Sequence, residues 1–328
     1  MKTVIRLVLS FVLLAGILAG CAGTPEPGNN QAGAGASEKA EETKKEAGQW
    51  PRTYVDTLGR EIVLEKKPEK VALLFFRNFE HMFLLDEAPA AATDLNILDE
   101  WESLAPYKSS RITDIGSMTN PNLEKLLEVG PDLIIMVSAR YGSYGDQLEK
   151  IAPVITVDSN ENNWQGALRE YGKIFGKEQK AETEITRIEA LITDSKEQLK
   201  KFSDKTFGVI MLGDKLFWGF TTQFVFNKES GLALQPPSQY VNMSTKGEQI
   251  SLEGLAAMNP DYMFVADIGG SSKKLQGYLK DLESNSAWKS LNAVKNEHMY
   301  ALDSSIAAGG PLGIELGVKT IIKNMLAR

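Results

Sequence analysis

Apolar and polar positions alternate with a period of two along "TYVDTLGREIVLEKKPEKVALLFF" and break at Leu58-Gly59. That pattern predicts a hairpin followed by an apolar strand over residues 71–76. Beyond it the period switches repeatedly between helical and extended. Helices are expected near 79–85 and over Leu123–Val129, a strand over Leu133–Val137, and a helix over 145–151. A strand over Val154–Val157 and a helix over Trp164–Phe175 follow. Alternation of this kind predicts a layered α/β structure with a largely parallel sheet.

The rhythm then changes. Residues 178–202 contain neither Gly nor Pro, and Ala181, Ile185, Ile188, Ile192 and Leu199 keep one helical stripe. About 25 residues at 1.5 Å each give a single helix of roughly 37 Å, enough to cross a whole domain. Strand patterns restart at 207–212, 262–266 and 299–302, closing on a helix over 312–326. The reading that fits is two similar Rossmann-like α/β lobes, 50–175 and 204–328, joined by one interlobe helix within 176–203. A repeat supports it: Leu123, Glu124, Leu126, Pro131 and Asp132 in the first half recur as Leu252, Glu253, Leu255, Pro260 and Asp261 in the second.

The start of the chain has another character. "MKTVIRLVLSFVLLAGILAGC" places Lys2 and Arg6 before a short apolar run and small residues before Cys21. This is the layout of an export signal over 1–20, and the run is short for a stable membrane span. Cys21 is the only cysteine of the 328 residues, so no internal disulfide can form. "LAGC" resembles the lipobox of bacterial lipoproteins, which implies an acylated Cys21 at the mature N-terminus on the outer face of the cell membrane. Acyl chains bury methylenes at ~0.8 kcal/mol each, so two or three anchor stably. Residues 21–49 carry no aromatic or branched aliphatic side chain and read as a flexible linker. Losing Lys2 and Arg6 with the leader deepens the net charge from −7 to about −9, which disfavours nucleic acid as a partner.

Six stretches in order, "DTLGREIVLEKKPEKVALL", "IGSMTNPNLEKLLEVGPDLII", "DQLEKIAPVITVD", "YGKIFGKE", "SLEGLAAMNPDYMFVAD" and "WKSLNAVKNEHMYALD", resemble the class III substrate-binding proteins of bacterial ABC importers. The resemblance covers about residues 51–328. It implies a monomeric binding protein for ferric siderophores, haem or cobalamin, with the ligand in the cleft between two lobes and delivery to a membrane permease. It implies no cofactor apart from the ligand, here expected to be a ferric siderophore. It also implies that Glu124 and Glu253 stand on the lobe surfaces and pair with permease arginines. A carboxylate in a first helical turn gains from the dipole, so both could instead serve their own helices after the caps Asn122 and Ser251.

In open α/β lobes, ligands meet the carboxyl ends of strands. Those ends supply Arg77, Arg140, Tyr141, Trp218 and Phe220, with Arg111 ahead of "DIGSM". An arginine just after a buried strand is costly unless it reaches water or an anion. Guanidinium forks with aromatic walls suit the oxygen-rich, often anionic surface of a ferric siderophore. Arg140 resembles the arginine of the ferric-catecholate binders' "SGRQ" stretch, but two further arginines of that branch match Gln223 and Ile268 here. A hydroxamate or citrate–hydroxamate complex is therefore favoured over a triscatecholate.

Other chemistry is poorly supported. His81 and His298 are the only histidines, and no nucleophile–base pattern recurs at a strand end, so no enzyme is expected. Clustered His and carboxylates for a bare metal ion are not seen in the sequence. His81 and Met82 lie on the first helix, where a haem binder can supply an axial ligand, but a core-facing histidine fits that helix better.

Overall fold

The computed structural model describes residues 49–108, 111–158, 163–213, 216–219, 224–239, 247–267 and 272–327. The leader, Cys21, the linker up to residue 48 and Phe220 lie outside the described residues.

Strands β1 (Arg52–Val55) and β2 (Glu61–Leu64) form the expected antiparallel hairpin. Asp56 fixes its turn: Oδ1 accepts from the backbone N–H of Leu58 and Arg60, while Oδ2 accepts from the Arg60 guanidinium and from Thr156. Gly59 supplies the left-handed φ of +75° that this turn needs.

The first sheet contains β3 (Val71–Leu73), β4 (Ala91–Ala92), β5 (Thr113–Asp114), β8 (Leu133–Val137) and β9 (Val154–Val157), in the order β5-β4-β3-β8-β9. Between β5 and β8 lies a small antiparallel ladder of β6 (Gly116–Ser117) and β7 (Asn120–Pro121). Every pairing within the first sheet is parallel, and β3, β8 and β9 are buried on both faces. Their continuous Val, Ile and Leu runs are what a sheet covered on both sides requires.

The second sheet contains β10 (Phe207–Gly213), β11 (Leu216–Gly219), β12 (Glu248–Ile250), β13 (Tyr262–Asp267) and β14 (Met299–Ala301), in the order β12-β11-β10-β13-β14. It is mixed, unlike the first. Strands β10, β13 and β14 run parallel, but β11 is antiparallel to both β10 and β12. The cause is chain length: two residues separate β10 from β11, and so short a link permits only a hairpin.

The repeated segment is one structural unit built twice. Leu123–Val129 and Leu252–Met258 are helices of 7 residues each. Asn122 and Ser251 cap them by accepting from the N–H of Lys125 and Gly254, and both end on a left-handed residue, Gly130 or Asn259. The Pro-Asp step has the same purpose in each copy. Asp132 accepts from the N–H of Glu69 and Lys70, ahead of β3. Asp261 accepts from the N–H and hydroxyl of Thr206, ahead of β10. Each aspartate thus sets the entry of its lobe's leading strand.

The interlobe helix spans Glu178–Leu199 and tightens into a 3-10 turn over Lys200–Phe202. Its stripe of Ala181, Ile185, Ile188, Ile192 and Leu199 is buried, packed against Trp164–Phe175 of the first lobe and the terminal helix Pro311–Leu326 of the second. Polar ties reinforce this packing. Arg187 grips Glu315 through two bonds of 2.7 Å, and Lys319 joins them. Hydrogen bonding from Arg187, opposed by burial and helped by Lys319, holds the Glu315 carboxyl below its ordinary value. The Glu102 N–H donates to Asp303 across the lobes.

Candidate functional site

Two arginines leave the first sheet side by side. Strand β3 ends at Leu73, earlier than the pattern suggested, and the chain turns through a 3-10 segment, Phe76–Asn78, that carries Arg77. Strand β8 ends at Val137 and turns through Ser138–Arg140. Because β3 and β8 are neighbours, the two turns start from strands ~4.8 Å apart on one carboxyl edge. Arg77 lies over Phe76 at 6.0 Å, and Phe76 meets Trp101 edge to face at 5.8 Å. Arg140 is half-buried and makes no hydrogen bond or ion pair among the described residues. Burial raises the pKa of the neighbouring Tyr144, and the charge of Arg140 opposes that rise. Tyr144 donates to the Met118 carbonyl at 2.5 Å and so ties the Arg140 turn to the loop after β6.

The remaining expected residues are placed differently. Tyr141 opens the helix Tyr141–Leu148, but its ring is covered by the Arg60 guanidinium at 4.2 Å and its hydroxyl donates to Glu149 at 2.7 Å. Its partners belong to the β1–β2 hairpin and the end of its own helix, not to the turn that carries Arg140. Arg111 is exposed and precedes β5. It therefore sits at the amino edge of a parallel sheet whose carboxyl edge bears Arg77 and Arg140. Trp218 is half-buried on β11, opposite Met211 on one side and Gln249 on the other. Burying Phe217 on the opposite face of that strand forces Trp218 outward by the two-residue alternation.

His81 is core, as its helix suggested: it is 4% exposed and stacks on Tyr171 with centroids 5.6 Å apart. Burial pushes its imidazole down to about 4, so it is neutral. Among the described residues, no His, Cys, Asp and Glu side chains group as a metal site.

Glu124 and Glu253 are both exposed on the repeated helices and make no hydrogen bond or ion pair among the described residues. The caps come from Asn122 and Ser251 instead. Leu127, one turn beyond Glu124, is 63% exposed.

One residue that the sequence gave no reason to single out is Glu80. It is fully buried in the first lobe's helix Phe79–Leu84, yet its Oε2 accepts from the N–H of Leu312 and Gly313 at the start of the terminal helix. Oε1 accepts from Ser103 at 2.9 Å. Desolvation outweighs those donors and pushes the carboxyl up to about 7.

A family model described as "Periplasmic binding protein" matches residues 71–306. The petrobactin-binding protein YclQ of Bacillus subtilis is 31% identical over 287 residues, covering 84% of this chain and 87% of that protein. The iron(3+)-hydroxamate-binding protein YxeB of the same organism is 27% identical, covering 100% of this chain and 98% of its own. Among solved structures, the triscatecholate siderophore-binding protein FeuA of Bacillus subtilis, complexed with ferri-bacillibactin, superposes with a TM-score of 0.69. It shares 25% identity and the match covers 84% of this chain and 99% of that one.

Proposed function

The chain belongs to the periplasmic binding protein family, and from that premise we propose that it captures a ferric siderophore outside the cell membrane and delivers it to an ABC importer for iron uptake. The observation that carries this reading is the pair of arginine-bearing turns on one carboxyl edge, with Arg140 half-buried and uncommitted among the described residues. A guanidinium left without a partner at the rim of a sheet suits an incoming oxygen-rich anion. Relatives named for petrobactin and for iron(3+)-hydroxamate support the ligand class.

The preferred ligand is a hydroxamate or citrate–hydroxamate complex, because the positions matching two further arginines of the catecholate branch hold Gln223 and Ile268. A catecholate is the second reading, favoured by the likeness to the triscatecholate-binding structure. His81, buried and stacked on Tyr171, and Met82, also buried, are poorly placed to supply an axial ligand, which argues against haem. Removal of the leader 1–20 exposes Cys21, whose acyl chains tether the protein as a monomer, with residues 21–49 as spacer. Glu124 and Glu253 serve as paired posts for permease arginines, a role supported by their exposure and by caps that leave both carboxylates unused.

The test is a fluorescence-quenching titration with ferric hydroxamate, citrate and catecholate siderophores, read through the tryptophans. Saturable quenching strongest with a hydroxamate or citrate–hydroxamate complex is expected. Quenching by none of the three classes would overturn the proposal.

A further inference from the structure

The repeated helices share a backbone but not a surface. In each lobe a short strand leads into the helix that carries the exposed glutamate, and what faces that strand differs. Pro121 lies opposite Gly116 in the first lobe, whereas the equivalent Ile250 lies opposite Phe217 in the second. Phe217 and Leu252 form a floor shared by two cavities beside Glu253. One, of about 270 Å³, lies between the end of β10 and the helix Ser272–Leu282, with Leu212, Leu216, Phe217, Leu252, Tyr278 and Leu282 as its apolar lining. The other, of about 590 Å³, continues along Gln249 and Ile250 to Glu253. Together they form an apolar groove with Glu253 at one end and Asp281 at the other. The more enclosed part is smaller than the ~300 Å³ at which small-molecule sites begin, so it suits a protein side chain.

The first lobe presents the inverse shape. Leu127 is 63% exposed and shares a helix face with Glu124, three positions before it. The second helix has Ala256 at that position, half-buried and packed against the core. One glutamate therefore stands beside a knob and the other beside a groove. Charge identifies what meets them. Glu124 and Glu128 border the knob, and Lys125, the only cation of that helix, donates to the Asp114 carbonyl. Glu253 and Asp281 border the groove, whose lining includes no lysine or arginine among the described residues. A second copy of this chain, with its net charge of −7, would set like charge against like. A basic partner complements both faces.

We propose that this asymmetric surface fits a permease of two unlike halves. One half recesses an apolar pocket around Leu127, beside the basic group that pairs with Glu124. The other extends a loop whose apolar side chain, flanked by a basic residue, fills the groove beside Glu253. The proposal rests on the docking role of the two glutamates and adds an orientation to it. A half-turn of the protein on the permease would set Leu127 against the loop side chain and leave the groove empty.

The test places the photo-crosslinker benzoylphenylalanine at Leu127 or Leu216 of the full-length protein, in iron-starved cells that produce it. Glu128 and Ala257, matching exposed positions one turn beyond each glutamate, serve as docking controls. Cross-linked peptides are sequenced after illumination. Leu127 and Glu128 are expected to label one permease sequence, and Leu216 and Ala257 a different one. The peptide labelled from Leu216 should carry an apolar residue next to Lys or Arg. In proteoliposomes holding the labelled permease, Leu127→Ser and Leu216→Ser should each weaken binding about three- to thirty-fold. Their melting temperatures should match wild type, because both leucines are exposed, 63% and 39%. One permease sequence labelled from both leucine positions, labelling of a second copy of this chain, or wild-type affinity in both serine variants overturns the proposal. Glutamate docking survives each of those results if Glu128 and Ala257 label permease. No permease labelled from any of the four positions overturns the docking role, and this proposal with it.

Discussion

Glu80 should make the stability of this protein fall as pH rises, and replacing it with glutamine should remove that fall. Its carboxyl is raised from the ordinary 4.5 to about 7 by burial, against the pull of Gly313, Ser103 and Leu312, with Asp303 adding to the rise. The folded state therefore keeps a proton that the unfolded state has released between those two values. Stability is complete below about pH 4.5 and is lost as pH rises through about 7. With those two values, linkage gives a loss of about 2.5 kcal/mol between pH 5 and 8, of which about 0.8 falls above pH 6.5. His81 works in the opposite direction. Its imidazole is depressed to about 4, so its contribution is present above the ordinary 6.5 and is lost as pH falls towards 4. The assay is urea unfolding of wild type and Glu80→Gln at half-unit steps from pH 5 to 8. Subtracting the two at each pH cancels the part due to His81. The variant should gain on wild type by about 2–3 kcal/mol across the range, on top of a constant penalty of about 1 kcal/mol for the misplaced amide. Glu80→Ala strips three buried donors of their acceptor and should cost about 3–5 kcal/mol. A flat difference between wild type and Glu80→Gln would refute the reasoning, since it would mean that the three donors keep the carboxylate charged throughout.

Cys21→Ser should yield unprocessed or released protein with ligand affinity intact; normal lipid labelling of the variant would contradict the anchor. Glu124→Ala and Glu253→Ala should leave affinity and melting temperature nearly unchanged, costing at most ~0.5–1 kcal/mol of helix-dipole stabilisation. Uptake should fall with either change and fall further with both, whereas lowered melting temperature with intact transport would return both residues to a purely local role. Asp132→Ala and Asp261→Ala should each cost about 1–3 kcal/mol, because each leaves two donors ahead of a leading strand without an acceptor; equal chemical midpoints for wild type and variants would show that these links are not stabilising.

Much of this fold was legible because its cause is local. The stripe from Ala181 to Leu199 fixes one uninterrupted helix, and the paired Pro-Asp segments mark the same unit in both lobes. The mixed second sheet was not legible, because "LFWG" is a short run whose strand character depends on pairing with β10 and β12. The helix Tyr141–Leu148 begins earlier than expected because Gly142 and Gly145 obscure a stripe set by Tyr144 and Leu148. Arg77 and Arg140 could be placed on one carboxyl edge from the sequence, since each lies in the short turn after a buried strand. The placement of Tyr141 was not legible, since its partner Arg60 belongs to a distant hairpin turn. Glu80 left no trace in the sequence, because two of its partners are backbone groups more than 200 residues away.

The central claim is that the carboxyl edge bearing Arg140 receives a ferric siderophore, and one comparison of dissociation constants tests it most directly. A hydroxamate siderophore is titrated in its ferric and iron-free forms into wild type and Arg140→Ala. Charge-assisted hydrogen bonds contribute roughly 1.5–3 kcal/mol each, so the ferric complex should bind wild type about ten-fold to over a hundred-fold more tightly than it binds the variant. The iron-free form should bind weakly to both. Equal affinity of wild type and Arg140→Ala for the ferric complex, or no preference for iron over its absence, would contradict the account.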